Sequence, residues 1–484
     1  MEMIKNRSLL SALCEPANSA HTANLAANLA VTNPATGEEL GCISTDSEAD
    51  IYAAIERSAV AQKSWQKTSA KERATILHRW YQLLMDNQAD LARIITLEQG
   101  KPLAEAEGEV AYGASFIEWF AEEAKRTYGD TIPGHTRDRR LMTIKQPVGV
   151  ATAITPWNFP IAMITRKAAP ALAAGCSFVG KPANQTPLSA YAVVELAYQA
   201  GVPKELLQLV IHNSPEVVGQ IFCKNEIVRK LSFTGSTRVG RILTAQCAET
   251  VKRVSMELGG NAPFIVFDDA DIDTAVAGAI ASKFRNAGQT CICANRFYIH
   301  DAVYDQFIDK FCAAVVQLKV GNGLEPGVTI GPLINHAAKN KVLRLIEAAV
   351  AEGARIVTGG NHRDGLFVEP TVLTDVSQTM GIVREEIFGP VAPVIRFSTD
   401  EELITMANDT IYGLAAYFYS RDIGRIWTVA EALEYGMVGI NEGSISTDVA
   451  PFGGIKQSGF GREGAKEGID EYLEVKYLCF GGIR

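Results

Sequence analysis

A chain of 484 residues is too long for one compact core, so two or three domains are expected. With 47% hydrophobic and 21% charged residues it is an ordinary globular sequence and not a disordered one. A net charge of −9 leaves no basic footprint for nucleic acid, and no uninterrupted apolar run reaches the roughly 18 residues a membrane span needs. Nine cysteines, an odd number scattered along the chain, suit a reducing, cytoplasmic setting better than a disulfide framework. No Cys/His spacing matches a zinc site, so no metal is expected.

Residues 1–30 carry scattered charges without an apolar signal core, and read as a poorly ordered lead-in followed by a short helix. Apolar residues at three- and four-residue intervals then predict helices over 49–67, 70–87 and 90–99. Lys101-Pro102 breaks the run, and a helix resumes over 104–125. The segment 127–145, with Gly129-Asp130, Pro133-Gly134 and the charged cluster at 137–140, reads as a protruding hairpin. From Gly149 the pattern alternates. Strands are expected over 149–155, 176–181, 207–211 and 230–233, with helices over 161–174 and 187–200. A second series follows Glu257. It has strands over 264–267, 297–300, 354–358, 391–397 and 415–419, and helices over 272–286, 303–320 and 338–352. Alternation at this spacing predicts parallel sheets covered by helices.

Four motifs carry chemistry. Phe284-Arg-Asn-Ala-Gly-Gln-Thr-Cys-Ile-Cys293 puts Cys291 after a glycine turn at a helix end, a setting that exposes a thiol to a cleft and favours its thiolate. Taken alone, Cys291 reads more often as a small packing residue. Met256-Glu-Leu-Gly-Gly-Asn-Ala-Pro263 sets Glu257 beside glycines that allow close approach of a backbone or ligand. In Thr155-Pro-Trp-Asn-Phe-Pro160 two prolines fix the backbone around Asn158, whose amide then suits an oxyanion donor. Phe233-Thr-Gly-Ser-Thr-Arg-Val-Gly240 is a glycine loop before a helix, able to offer N–H groups to a pyrophosphate, although it lacks the full Gly-x-Gly-x-x-Gly spacing.

Together with Glu385-Glu-Ile-Phe-Gly-Pro390 and Pro451-Phe-Gly-Gly-Ile-Lys-Gln-Ser-Gly459, these motifs resemble the aldehyde dehydrogenase superfamily from about Val31 to the C-terminus. Met163-Ile-Thr-Arg-Lys167, Lys283-Phe-Arg-Asn286, Cys-Ile-Cys and Asn441-Glu-Gly-Ser-Ile-Ser446 are similar to its succinate-semialdehyde dehydrogenase branch. The resemblance implies two doubly wound α/β domains. Residues 1–125 and 147–256 would bind the nicotinamide cofactor and 257–469 would carry catalysis. Residues 126–146 and 470–484 would form an arm pairing across subunits in a homodimer or homotetramer. It further implies Cys291 as nucleophile, Glu257 as the base that hydrolyses a thioester, and Asn158 with the Cys291 N–H as oxyanion donors. Cofactor contacts would fall to Trp157, Lys181, Asn184, Gly235, Ser236, Gly240, Glu386 and Phe388. A neutral Asn184, where an acidic residue would repel a 2′-phosphate, leans towards NADP with NAD also usable. Arg166, Arg285 and Ser446 match positions that bind a distal carboxylate, for which the planar guanidinium fork is suited. The substrate would be succinate semialdehyde. Glutarate semialdehyde, one methylene longer, stays open because one methylene discriminates weakly. Cys293, two residues from a reactive Cys291, is a redox-switch candidate. In an extended segment the pair would sit roughly 7 Å apart and the loop would have to bend.

Two rivals remain at this stage. A thiol hydrolase or acyltransferase would need a histidine partner, and none of His21, His78, His135, His212, His300, His336 or His362 lies in a recognisable partner motif. A binding protein that kept the fold but lost the chemistry would not need Cys291, Glu257 and Asn158 together.

Overall fold

The computed structural model describes residues 1, 3–13, 28–361 and 363–482. Cys14, His21 and His362 lie outside the described residues. Two parallel sheets dominate the rest. Ser47 and Ser69 start the helices Glu48–Trp65 and Ala70–Asp86 through reciprocal capping boxes with Asp50 and Glu72, each satisfying orphan backbone donors at a helix start. With Gln88–Gln99 and Leu103–Glu123 these helices bury Leu77, Trp80, Leu91, Ile95, Phe116 and Phe120 against the wholly buried helix Ala162–Ala174.

The first sheet has six strands in the order Gly459–Phe460, Arg253–Glu257, Val228–Thr234, Val150–Ile154, Ser177–Lys181 and Leu207–Leu209. All are parallel except the two-residue edge strand. The chain steps outward from Val150–Ile154, then returns to its other side, so a topological switch lies between that strand and Val228–Thr234. The second sheet orders Arg355–Thr358, Thr371–Thr374, Val391–Phe397, Ala294–His300, Ala262–Val266, Ala415–Tyr419 and Met437–Ile440. Only Arg355–Thr358 runs antiparallel. The parallel sheets are those the alternation predicts, and the doubly wound α/β class is the one the resemblance implies.

Several expectations are corrected. Ile4 and Leu9 are buried around a short 3₁₀ turn at Arg7–Leu10, so that part of the lead-in is packed core and not loose chain. The arm is three-stranded: Leu473–Phe480 pairs along its length with Arg140–Pro147 of the same chain, and Thr131–Ile132 adds two residues on the far side. Tail and hairpin thus satisfy each other first. The helix expected over 303–320 covers only Tyr304–Val315, because Lys319 turns its backbone N–H to the Thr329 hydroxyl. Among the described residues no helix is long and apolar enough to cross a membrane, and no cluster of His, Cys, Asp and Glu is disposed to hold a metal.

Candidate functional site

In open α/β sheets, ligands bind beyond the carboxyl ends of strands at the switch point. Here Val150–Ile154 runs into Pro156, Trp157 and Asn158, and Val228–Thr234 into Gly235 and Ser236. Glu257 ends the neighbouring strand. Facing them, from just before strands of the second sheet, come Cys291 and the segment Glu386–Phe388. They enclose a cleft of about 280 Å³.

The chemistry-bearing groups meet in this cleft. Glu257 is 3% exposed, and neither carboxyl oxygen has a hydrogen-bond partner. Burial, reinforced by the nearby Glu463, pushes its carboxyl well above the usual carboxylate range, against the pull of Arg166, Lys167 and Arg462. Gly453 makes room for it, since a Cβ there would lie 2.9 Å from Glu257 Oε1. Gly260 likewise allows the Cys291 carbonyl to approach, for a Cβ would meet it at 2.3 Å. Asn158 Nδ2 donates to Gln289 O at 3.0 Å, and its Oδ1 is unpartnered.

Two expectations about the cysteines change. Burial pushes the Cys291 thiol up to about 12, so the resting group is a thiol and not the thiolate anticipated from the turn. The segment from Thr290 to Cys293 is a turn closed by Cys293 N–H donating to Thr290 O at 3.0 Å, not an extended strand. The buried Cys293 thiol donates to Lys283 O at 3.1 Å, and both cysteines are free.

The cofactor residues divide. Trp157, Gly235, Ser236, Glu386 and Phe388 line the cleft. Ser236 caps the helix Thr237–Cys247, a Cβ on Gly235 would lie 2.5 Å from the Phe233 ring, and Trp157 meets Phe388 edge to face at 5.7 Å. Burial raises Glu386 to about 7, while its Oε1 accepts from Gly260 N at 3.1 Å. Gly240 lies off the cleft wall, beneath Leu258, where a Cβ would come within 2.4 Å. Lys181 ends the strand Ser177–Lys181, Asn184 follows it, and neither lines the cleft. Lys181 Nζ donates to Asn184 Oδ1 at 2.7 Å, and Asn184 Nδ2 donates to His212 O at 3.1 Å, so both ends of that amide are engaged. Burial draws Lys181 down to about 8. A glycine-lined helix N-terminus, an aromatic pair and a carboxyl group together fit a dinucleotide.

The substrate residues divide too. Arg285 and Ser446 share a chamber of about 230 Å³ with Glu105, Tyr112 and Phe159. Arg285 sits 5.2 Å over the Phe159 ring. Arg166 does not line that chamber but meets it at the Tyr112 hydroxyl: fully buried, it is ion-paired through Nε with Glu463, which also holds Lys167, its Nη2 has no hydrogen-bond partner, and it lies 4.5 Å from the Phe452 ring. Tyr112, whose hydroxyl faces Arg166, Arg285 and Ser446, was missed in the sequence because its helix reads as plain amphipathic packing. Glu463 was missed because it follows, and is not part of, the 451–459 motif.

The sequence profile of the aldehyde dehydrogenase family matches residues 21–478. A glutarate-semialdehyde dehydrogenase of Pseudomonas putida is 62% identical over 449 residues, covering 93% of this chain and 93% of that protein. An NADP(+) succinate-semialdehyde dehydrogenase of Escherichia coli K12 is 60% identical over 453 residues, covering 93% of this chain and 94% of its own. The crystal structure of succinate-semialdehyde dehydrogenase from Burkholderia pseudomallei superposes with a TM-score of 0.96 at 58% identity, covering 99% of this chain and 100% of that one.

Proposed function

The chain belongs to the aldehyde dehydrogenase family, and from that premise we propose that it oxidises succinate semialdehyde to succinate through a thioester on Cys291. The observation that carries the reading is a carboxyl group, Glu257, with no hydrogen-bond partner on either oxygen, in the same cleft as Cys291 and Asn158. Cys291 Sγ attacks the aldehyde carbon as its thiol proton passes to bulk water. The developing alkoxide is received by Asn158 Nδ2 and the Cys291 N–H. A nicotinamide cofactor, held along Trp157, Gly235, Ser236, Glu386 and Phe388, supplies the acceptor for the hydride that leaves the substrate carbon. What remains on Cys291 is a thioester. Glu257, as its carboxylate, then draws a proton from water, the hydroxyl adds to the carbonyl, and the C–S bond breaks to release succinate while the proton on Glu257 passes to the departing sulfur.

Recognition of the distal carboxylate falls to Arg285 and Ser446, with Arg166 acting from behind through Tyr112. Glutarate semialdehyde is the second reading, favoured by the identity to a glutarate-semialdehyde dehydrogenase. Reduced-cofactor absorbance with both semialdehydes, each with NADP and NAD, tests the assignment. The highest kcat/KM is expected with succinate semialdehyde and NADP, and no turnover of either semialdehyde would overturn it. The arm, whose outer strand exposes Val475 and Tyr477, supports assembly into a homodimer or homotetramer.

NADP is proposed because Asn184 is neutral and lies beside the Lys181 ammonium. Asn184→Glu is expected to shift preference towards NAD. A like charge a few ångströms from a 2′-phosphate costs at least ~1 kcal/mol, about fivefold. The ratio of kcat/KM for the two cofactors measures it, and an unchanged ratio removes Asn184 from the cofactor site.

The raised Glu257 also fixes a pH dependence. The working form is the carboxylate, and a raised value means that this form is lost as pH falls through a region well above the usual carboxylate range. The rate is therefore expected to keep climbing with pH well above the ordinary carboxylate range. An acid limb at the ordinary carboxylate value, near pH 4, would mean that another group limits turnover.

A further inference from the structure

An amide that serves as an oxyanion donor is only as well aimed as its backbone. The backbone carbonyl of Asn158 is gripped by two donors: Lys101 Nζ at 2.8 Å and Asn286 Nδ2 at 3.0 Å. Lys101 is a buried ammonium outside the proposed chemistry, its side chain 1% exposed. It pairs with the equally buried Glu109, Nζ to Oε2 at 2.5 Å, and lies 3.9 Å over the Phe159 ring. The other oxygen of Glu109 accepts the N–H groups of Ile161 at 2.9 Å and Ala162 at 3.4 Å, where the helix Ala162–Ala174 begins. One ion pair therefore holds the chain on both sides of the Phe159-Pro160 step.

Asn286 extends this grip to the nucleophile. It adopts a left-handed backbone, φ +52°, as does Ala287 after it, and such conformations persist only where neighbours over-determine them. The neighbours come from the same stretch of chain as Lys101. Glu105 Oε2 accepts the Asn286 N–H at 2.7 Å, and Gln99 Nε2 donates to Asn286 Oδ1 at 2.9 Å. The Asn158 amide meanwhile donates to Gln289 O, two residues before Cys291. Stability alone does not call for an ammonium here, since a buried ion pair is often no more stable than apolar residues of similar volume.

We propose that Lys101, with Glu109 and Asn286, is a positioning residue that sets the Asn158 amide relative to Cys291 for oxyanion capture; this rests on the reaction proposed above. Lys101→Met/Glu109→Gln removes the donor without stranding a buried charge. It is expected to slow the first-turnover burst of reduced cofactor about 100-fold, the scale of a small misplacement at a reacting centre. Cofactor affinity and Tm should stay near those of the parent. If Lys101 acts through Asn158, the same change made in an Asn158→Ala background should cost less than about threefold more. Equal losses in both backgrounds overturn the proposal. Asn286→Gly, which the left-handed backbone accepts, removes the second donor and leaves the ion pair intact. It should slow the burst about tenfold with the same dependence on Asn158, and a burst at the parent rate counts against the proposal even if the double variant fails to fold. A parent enzyme that oxidises no aldehyde, or an Asn158→Ala variant with full rate, would instead sink the reaction itself.

Discussion

Cys291→Ser is expected to abolish reduced-cofactor formation, whereas Glu257→Gln should give one turnover per site and then stall. Serine in this buried cleft stays protonated more firmly than a thiol, and its alkoxide is a poor leaving group for the second half of the reaction. Glutamine keeps the shape of the base but cannot take a proton from water. Rapid mixing with succinate semialdehyde and NADP separates the two, by burst amplitude and by the steady rate after it. A Glu257→Gln enzyme with the parent's steady rate would remove the carboxyl from deacylation. The unpartnered oxygens of Glu257 make this substitution a clean one, because no hydrogen bond is lost with the charge.

Arg285→Ala should raise KM for succinate semialdehyde by one to two decades and leave that for butanal nearly unchanged. Losing a charge-assisted hydrogen bond costs about 1.5–3 kcal/mol, and only the charged substrate makes it. Arg166→Ala is expected to behave differently, although both arginines lie in similar motifs. Arg166 is already committed to Glu463, so its removal leaves a buried carboxylate short of a partner, at about 3–5 kcal/mol. Tm should fall and both aldehydes should suffer. Steady-state kinetics on the two aldehydes with a melting curve for each variant decide this. Equal losses on both aldehydes in Arg285→Ala would make that arginine structural as well.

The contrast between the two arginines marks what was legible in the sequence. Periodicity gave the helices at 70–87 and 187–200 almost to the residue, and the strands Val391–Phe397 and Ala415–Tyr419. Buried strands and strongly periodic helices announce themselves through side chains alone. The helix Pro215–Lys224 and the short strands Thr371–Thr374 and Met437–Ile440 were not anticipated, and the helix expected after the glycine loop begins at Thr237, inside the 233–240 motif. Their periods are short and overlap loop-like composition. At the site, motif order brought Asn158, Glu257 and Cys291 to one cleft. It could not say that Arg166 is ion-paired with Glu463, that Asn184 is tied at both ends, or that the turn at 290–293 aims Cys293 at Lys283. The first two depend on partners far away in the chain, Glu463 and His212, and the third on a turn that the residue types alone do not dictate. The anticipated thiolate failed for a related reason: a glycine turn signals access, but the degree of desolvation around Cys291 is set by walls contributed from both sheets.

The first sheet is completed by residues that leave the ribosome about 200 residues after its other strands. Its edge strand against Glu257 is Gly459–Phe460, and the carboxylate that neutralises Arg166 and Lys167 is Glu463. A nascent chain of some 260 residues already holds the helices and most strands of this unit. It cannot yet bury that pair of cations or brace the strand carrying Glu257. Vectorial synthesis, which ordinarily favours N-terminal units folding first, must here leave the first half waiting, exposed to chaperones, until the C-terminal segment threads back. A stop codon shortly before residue 459 would therefore damage the beginning of the protein more than its end.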